Sequence, residues 1–147
     1  MKRHGALAPL SRDHHHALVV AQRLRRAADA ASAAVAREAF LAYWRDDGQR
    51  HFREEEEVLL PAFAAYGDPE LPIVARVLVD HVRIRRLVAQ LADAEPDDAD
   101  LAPAIEAMHA LGRALAEHVR REERELFALI ERTLPEAGLE RLVALLA

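Results

Sequence analysis

The chain has 147 residues, of which 52% are hydrophobic and 31% are charged, and these values are typical of one globular domain, 1–147, with its own core. Its net charge of −5 disfavours nucleic acid as a partner, and the absence of cysteine excludes disulfides, thiolate metal sites and cysteine nucleophiles. No apolar run approaches the roughly 20 residues of a membrane span, and the first residues lack a secretory signal pattern, so we expect a cytoplasmic protein without a membrane partner.

Helix-forming residues and helical periodicity run through most of the chain. Ala, Leu, Arg and Glu are abundant, and alternating runs of β-branched or aromatic residues are nearly absent. Turns rich in Gly, Pro or Asp lie at Tyr66–Pro72, Glu95–Pro103 and Thr133–Gly138, and a weaker break lies near Ser32. These turns divide the chain into separate helical segments.

The segments between the turns predict an all-α fold. After a short N-terminal tail, 1–9, we predict four long helices and a short C-terminal helix. They cover residues 11–30, 35–65, 71–94, 103–132 and 136–146. Four helices with short connections form an antiparallel, up-down-up-down four-helix bundle, here with one short extra helix.

The first helix carries three consecutive histidines. On a helical wheel the apolar residues of this helix border His14, whereas His15 and His16 fall on the charged side. Helix starts are often irregular, so the wheel alone does not decide between neighbouring residues there. We take His14 as the first-helix candidate for a buried site and keep His15 as the alternative.

The second and fourth helices contain related segments. HFREEEEVLL, residues 51–60, and HVRREERELF, residues 118–127, share histidine, arginine, two glutamates and leucine at equivalent positions, with an offset of 67 residues. The same offset places Asp13–His14 on Asp80–His81. The chain therefore contains two copies of one helical hairpin.

The spacing of four histidines predicts that they lie at one level of the bundle. His14 and His51 are 37 residues apart, and so are His81 and His118. The midpoints between successive histidines fall on the predicted turns, and in antiparallel helices two residues equally far from a turn lie at the same height. We expect one layer of four imidazoles, one from each helix.

Two glutamates are expected to join this layer, because residues four apart share a helix face. Glu55 follows His51 at this distance, and Glu122 follows His118. Buried carboxylates are costly unless a cation neutralises them, and imidazole with carboxylate suits iron, zinc or manganese. Six such ligands can hold two ions. The predicted metal ligands are His14 or His15, His51, Glu55, His81, His118 and Glu122.

The other acids of the HFREEEEVLL run point away from His51 on the wheel. Glu54, Glu56 and Glu57 are therefore assigned to the solvated surface. His109 lies on the face opposite to His118, and it is predicted to have no part in the site.

Four segments resemble, in their order and spacing, the hemerythrin-like, or HHE, cation-binding family. They are LSRDHH, HFREEEEVLLPAF, DHVRIRRL and HVRREERELF. The resemblance implies a four-helix bundle with a non-haem di-iron centre, bridged by carboxylates and an oxo or hydroxo group. It gives ligand roles to the residues predicted above, with His14 in the first helix and Glu55 and Glu122 as the bridges.

The chain departs from the oxygen-carrying members of that family at one position. Those members place a second histidine one helical turn from the third-helix ligand, where this chain has Val77 and Arg85. The resemblance therefore implies a site with one histidine fewer. Reversible O2 carriage is less favoured, and responses to oxygen, nitric oxide or peroxide are at least as consistent with the ligand set.

Three functions are compatible with these observations. The leading hypothesis is a metal-binding protein, monomer or homodimer, whose di-iron centre binds or senses a small exogenous ligand, O2, NO or peroxide. The second is a di-iron or di-manganese peroxidase or oxidase, which is less favoured because no general acid or substrate pocket is legible. The third is a structural or regulatory bundle held by a single zinc or iron ion.

Overall fold

The computed structural model of the protein describes residues 2–94 and 100–147, and every regular element in these two ranges is helical. The predicted turn at Glu95–Pro103 lies largely outside them. The described helices form five continuous segments: α1 Ala8–Arg25, α2 over residues 30–64, α3 Pro72–Asp93, α4 over residues 101–133, and α5 Glu136–Leu146. The prediction of an all-helical fold is confirmed. None of the described helices is long and apolar enough to cross a membrane.

Helices α2 and α4 change locally from α-helical to π-helical geometry. In α2 the α-helical parts are Ala30–Tyr43, Gln49–Glu54 and Leu60–Ala64, and the π turns are Trp44–Gly48 and Glu55–Leu59. In α4 the α-helical parts are Leu101–Arg121 and Phe127–Thr133, and the π turn is Glu122–Leu126. Such single π turns inside α-helices are frequent at functional sites. Here one of them begins at each of the two predicted glutamate ligands.

The junction between α1 and α2 differs from the predicted break near Ser32. Helix α1 ends at Arg25, and Asp29 is the N-cap of α2. The Asp29 carboxylate accepts a hydrogen bond from the backbone N–H of Ser32 at 2.8 Å, and the Ser32 hydroxyl accepts one from the backbone N–H of Asp29 at 3.1 Å. This capping box places Ser32 in the first helical turn of α2 rather than in the connection between α1 and α2.

The N-terminal residues are packed against the bundle, although the sequence predicted a tail over 1–9. Helix α1 begins at Ala8, and both Ala6 and Leu7 are buried. The backbone N–H of His4 donates to the carboxylate of Glu131 at 2.8 Å. A segment this short has no periodicity of its own, so only its contacts reveal that it is ordered by the helices.

Helix α1 makes its most extensive contact with α4. Gly112 of α4 permits this close approach. A Cβ atom at this position would lie 2.7 Å from the backbone oxygen of Ala21 in α1, so any larger residue would push the two helices apart. Helices α1 and α2, and helices α3 and α4, also pack against each other.

The apolar core of the described chain consists of two clusters separated by a buried polar layer. One cluster contains Phe40 and Phe52, and the other contains Phe63 and Phe127. The buried polar and charged residues between them are His14, His51, Glu55, Asp80, His81, His118 and Glu122. Because charged groups are rarely buried without compensation, this layer is the candidate functional site.

Candidate metal centre

The structure brings the six predicted side chains together inside the bundle. Each is at most 3% exposed to solvent. Helix α1 supplies His14, α2 supplies His51 and Glu55, α3 supplies His81, and α4 supplies His118 and Glu122. The level at which they meet is the one expected from the spacing of the histidines.

The six side chains form two overlapping groups that share both glutamates. One group is His14, His51, Glu55 and Glu122, and the other is Glu55, His81, His118 and Glu122. Within each group, one ligand atom from every residue lies within 4.8 Å of the others. Each group therefore offers two imidazoles and two carboxylates to one cation.

Glu122 lies between the two groups. Its Oε1 is 3.1 Å from Nε2 of His14 and also 3.1 Å from Nε2 of His118. These two imidazoles belong to different groups and come from opposite halves of the chain. A carboxylate in this position can serve two cations at once.

Glu55 has the equivalent position on the other side of the centre. Its Oε1 is 3.3 Å from Nε2 of His51 and 3.3 Å from Nε2 of His81, one imidazole from each group. The π turn that starts at Glu55 is matched by the one at Glu122. The two hairpins therefore agree in backbone geometry as well as in residue type.

Several buried polar atoms of the centre have no hydrogen-bond partner in the described chain. They are both carboxylate oxygens of Glu55, Oε2 of Glu122, Nε2 of His81 and His118, and Nδ1 of His14. Buried polar atoms without partners are rare because each costs free energy. Apart from Nδ1 of His14, these atoms face each other, and imidazole nitrogen with carboxylate oxygen is a donor set that suits iron, zinc and manganese. The residues therefore fit a cation.

The electrostatics of the centre also favour positive charge. Burial alone would lower the pKa of His118, but the charge of Glu122 and a hydrogen bond with Asp80 outweigh it and raise this pKa to about 10. Burial is likewise outweighed at His51, where the charge of Glu55 raises the pKa well above 6.5. Burial would raise the pKa of Glu122, yet the neighbouring His118 holds it well below 4.5. Either bound protons or a bound cation would compensate the negative charge of the two glutamates.

Two aspartates contact the outer nitrogens of two imidazoles. Oδ2 of Asp13 lies 3.0 Å from Nδ1 of His51, and Oδ2 of Asp80 lies 3.1 Å from Nδ1 of His118. Burial would raise the pKa of each aspartate, but these contacts outweigh it and hold the pKa below its usual value. The 67-residue repeat aligns these two aspartates, but no role was predicted for them.

Two glutamates contact the outer nitrogens of the other two imidazoles. Oε2 of Glu56 lies 2.5 Å from Nδ1 of His81, within hydrogen-bond distance. Oε1 of Glu123 lies 3.5 Å from Nδ1 of His14, which is an ion-pair contact without a hydrogen bond. The assignment of Glu56 to the solvated surface is wrong, because this side chain is partly buried and reaches from α2 to α3. A helical wheel gives a direction within one helix and does not show which neighbouring helix a long side chain reaches.

The remaining histidines lie outside the centre. His15, the alternative first-helix candidate, is exposed, and His14 occupies the interior. His16 pairs with Asp47 at 3.1 Å on the surface. Nε2 of His109 lies 2.8 Å from the backbone oxygen of Ala27, far along the bundle from the polar layer.

Comparison with protein-family models gives a match over most of the chain. The family model described as the hemerythrin HHE cation binding domain matches residues 6–130, a range that contains all six side chains of the centre. Neither the curated proteins nor the solved structures gave a significant match.

Proposed function

Because the chain belongs to the hemerythrin HHE cation-binding domain family, we propose that its buried centre holds two non-haem iron ions and binds or senses a small ligand, O2, NO or peroxide. The observation that carries this proposal is the pair of overlapping four-residue groups that share two carboxylates. A pair of iron ions would supply redox chemistry and coordination positions for such a ligand.

The ligand roles follow the two groups. His14 and His51 would hold one ion, His81 and His118 would hold the other, and the two shared glutamates would bridge them. This division is supported by the contact of each glutamate with one imidazole from each group. The negative charges of the bridges would compensate part of the charge of two cations in an otherwise apolar interior.

A position for the exogenous ligand is supported by the residues one turn from His81. Val77 is a fully buried apolar residue, and the guanidinium of Arg85 bonds to Glu56 at 2.8 Å. Neither side chain can act as a further ligand. Six protein ligands for two ions would leave coordination positions for O2, NO or peroxide.

The same proposal includes the antiparallel, up-down-up-down order of α1 to α4. Its support is that residues 37 apart in each half meet at one level, as they do when a helix returns alongside its predecessor. The contacts of α1 with α2 and of α3 with α4 agree with this order.

The test is the metal content and the absorption spectrum of protein purified after expression in iron-replete medium. We expect about two irons per chain, as two overlapping groups would require, with charge-transfer absorption that changes when O2, NO or peroxide is added. Glu57→Gln serves as a control variant and should bind the same amount of iron, since Glu57 is exposed and lies outside the centre. Colourless protein with no bound iron would refute the proposal, and iron without any response to the three ligands would reduce it to a structural site.

A further inference from the structure

The acids on the outer side of the four imidazoles follow one rule around the bundle. Each imidazole is contacted by an acid from the preceding helix: Asp13 of α1 contacts His51 of α2, and Glu56 of α2 contacts His81 of α3. The same kind of contact joins α3 to α4, and a last one joins α4 back to α1. The last two contacts are Asp80 with His118, and Glu123 with His14. Four helices are thereby linked in a closed ring of acid–imidazole contacts.

The chemistry of imidazole gives this ring a purpose. A neutral imidazole has one N–H donor and one acceptor nitrogen, and an ionised carboxylate accepts only. An acid beside Nδ1 therefore keeps the proton on Nδ1, and the lone pair of Nε2 points to the opposite side of the imidazole. In all four histidines of the centre, that opposite side faces Glu55 or Glu122.

Each outer acid is in turn paired with a guanidinium. Arg50 lies 3.7 Å from Asp13, and Arg85 lies 2.8 Å from Glu56. The other two pairs are Arg121 with Asp80, and Arg3 with Glu123 at 3.5 Å. A guanidinium keeps its charge at all ordinary pH values, so it favours the ionised, accepting form of the acid that it contacts.

We propose that Asp13, Glu56, Asp80 and Glu123 are positioning residues that fix the Nδ1–H form of the four imidazoles and so direct every Nε2 toward the bound cation. This inference rests on the proposed metal-binding function and goes beyond it, because none of these four acids would touch the cation. A purely structural role would make the same contacts useful for folding alone. The two roles differ in what happens to the imidazole protons and to cation affinity.

The first measurement uses the unmodified protein loaded with Zn²⁺, a diamagnetic probe that accepts the same donor set. Long-range nitrogen-15 to proton correlation spectra report, for each imidazole, which nitrogen carries the proton. We expect protonated Nδ1 and metal-bound Nε2 in His14, His51, His81 and His118. Metal-bound Nδ1 in these residues would overturn the inference without any variant having to fold.

The second measurement compares variants with matched controls. Glu56→Gln and Glu123→Gln remove an acid of the ring, whereas Glu57→Gln and Glu125→Gln remove the same charge from exposed positions in the same helices. Loss of an outer group that orients a metal-binding imidazole typically weakens metal affinity about 10- to 100-fold. We expect such a loss of Zn²⁺ affinity, measured by chelator competition, in the ring variants only, and a changed proton position in the imidazole that lost its acid.

The outcomes separate this inference from the proposed function. If the unmodified protein binds Zn²⁺ and the ring variants match their controls in affinity and proton position, the acids only stabilise the fold and the inference fails alone. If thermal unfolding of the metal-free variants changes while Zn²⁺ affinity does not, the same conclusion follows. If the unmodified protein binds neither Zn²⁺ nor iron, the proposed function and this inference fail together.

Discussion

The two helical hairpins of the chain, residues 8–64 and 72–133, agree closely at the centre and differ outside it. Ligands and outer acids recur at the 67-residue offset, and each hairpin has a π turn that begins at its shared glutamate. The arginines that pair with the outer glutamates do not recur. Glu56 pairs with Arg85 of α3, whereas the equivalent Glu123 is contacted by Arg3 of the N-terminal segment. The repeat therefore specifies the centre, and unrelated parts of the chain complete its support.

The packing of equivalent helix pairs differs as well. Helices α1 and α4 approach closely at Gly112, where a Cβ would meet backbone. The equivalent residue in α2 is Arg45, which is exposed, and a groove of about 430 Å³ lined by Trp44 and Arg53 lies between α2 and α3. Two copies of a hairpin can thus share a polar layer and still pack differently, because the layer depends on a few positions and the packing depends on residue sizes along the whole helix.

The largest effect is expected from the side chains that the two hairpins share. Glu122→Gln should remove both ions, because Glu122 contacts imidazoles of both groups, and Glu55→Gln should do the same. His14→Ala affects one group and should leave about one of the two proposed irons. Iron content of the purified variants, measured by elemental analysis, checks this order.

If a glutamate variant loses only as much iron as a histidine variant, the two groups of ligands do not share that glutamate. Retention of one firmly bound iron in Glu122→Gln would mean that this carboxylate serves one ion only. Glu57→Gln, with the same loss of charge at an exposed position of α2, should retain the iron content of the unmodified protein.

The next effect is a dependence on pH in which metal binding and metal-free stability change in opposite directions. The pKa values of His51 and His118 are raised in the metal-free fold, that of His118 to about 10. A raised pKa adds stability that is fully present below the unfolded value of about 6.5 and is lost as the pH rises toward 10. Metal-free protein should therefore unfold at a lower temperature at pH 9 than at pH 6.

Cation affinity should change in the other direction, because only neutral imidazole binds a metal. As the pH falls from 9, protons compete more strongly, so the affinity should decline before the pH reaches about 6.5. Chelator competition at several pH values measures this decline. A flat affinity from pH 9 to pH 5 would contradict imidazole ligation in both hairpins.

Periodicity and repetition explain which parts of this structure were accessible from sequence. The positions of His14 and His118 in one layer follow from helix rise and from the offset of the repeat, both of which are local and regular. The contact of Glu56 with His81 could not be derived in this way, because it depends on the distance between α2 and α3. Arg3 lies in a segment without periodicity, so nothing in its sequence indicates that it reaches Glu123.

A smaller effect is expected from the close approach of α1 and α4. Gly112→Ala would place a Cβ 2.7 Å from the backbone oxygen of Ala21, and the helices would have to separate. Overpacking typically costs about 1–3 kcal/mol, and the better helix propensity of Ala offsets part of this cost. We expect the free energy of unfolding of the metal-free protein to fall by about 1–2 kcal/mol.

The control for Gly112→Ala is Gly5→Ala, since a Cβ at Gly5 would have no atom of the described chain within 4 Å. Chemical denaturation of both variants measures the difference. Equal stability of the two variants would show that α1 and α4 can separate at no cost, and the packing difference between the hairpins would then have no energetic meaning.

The smallest effect concerns the two arginines that differ between the hairpins. Partly exposed ion pairs contribute about 0–1 kcal/mol, so Arg3→Gln and Arg85→Gln should each weaken Zn²⁺ affinity by no more than about fivefold. The location of the effect is more informative than its size. Arg3→Gln should shift the imidazole signals of His14 and leave those of His81 unchanged, and Arg85→Gln should do the reverse, as nitrogen-15 spectra of the Zn²⁺-loaded protein can show.

Lys2→Gln provides the control for the N-terminal segment, because Lys2 is exposed beside Arg3. If Arg3→Gln and Lys2→Gln give identical spectra, the N-terminal segment contributes to the packing of the bundle, through Ala6 and Leu7, and not to the imidazole of His14. If Arg3→Gln alone shifts His14, a segment outside both hairpins supports the imidazole of the first helix. The centre would then need more of the chain than the repeat contains, and removal of the first few residues would weaken one half of the centre selectively.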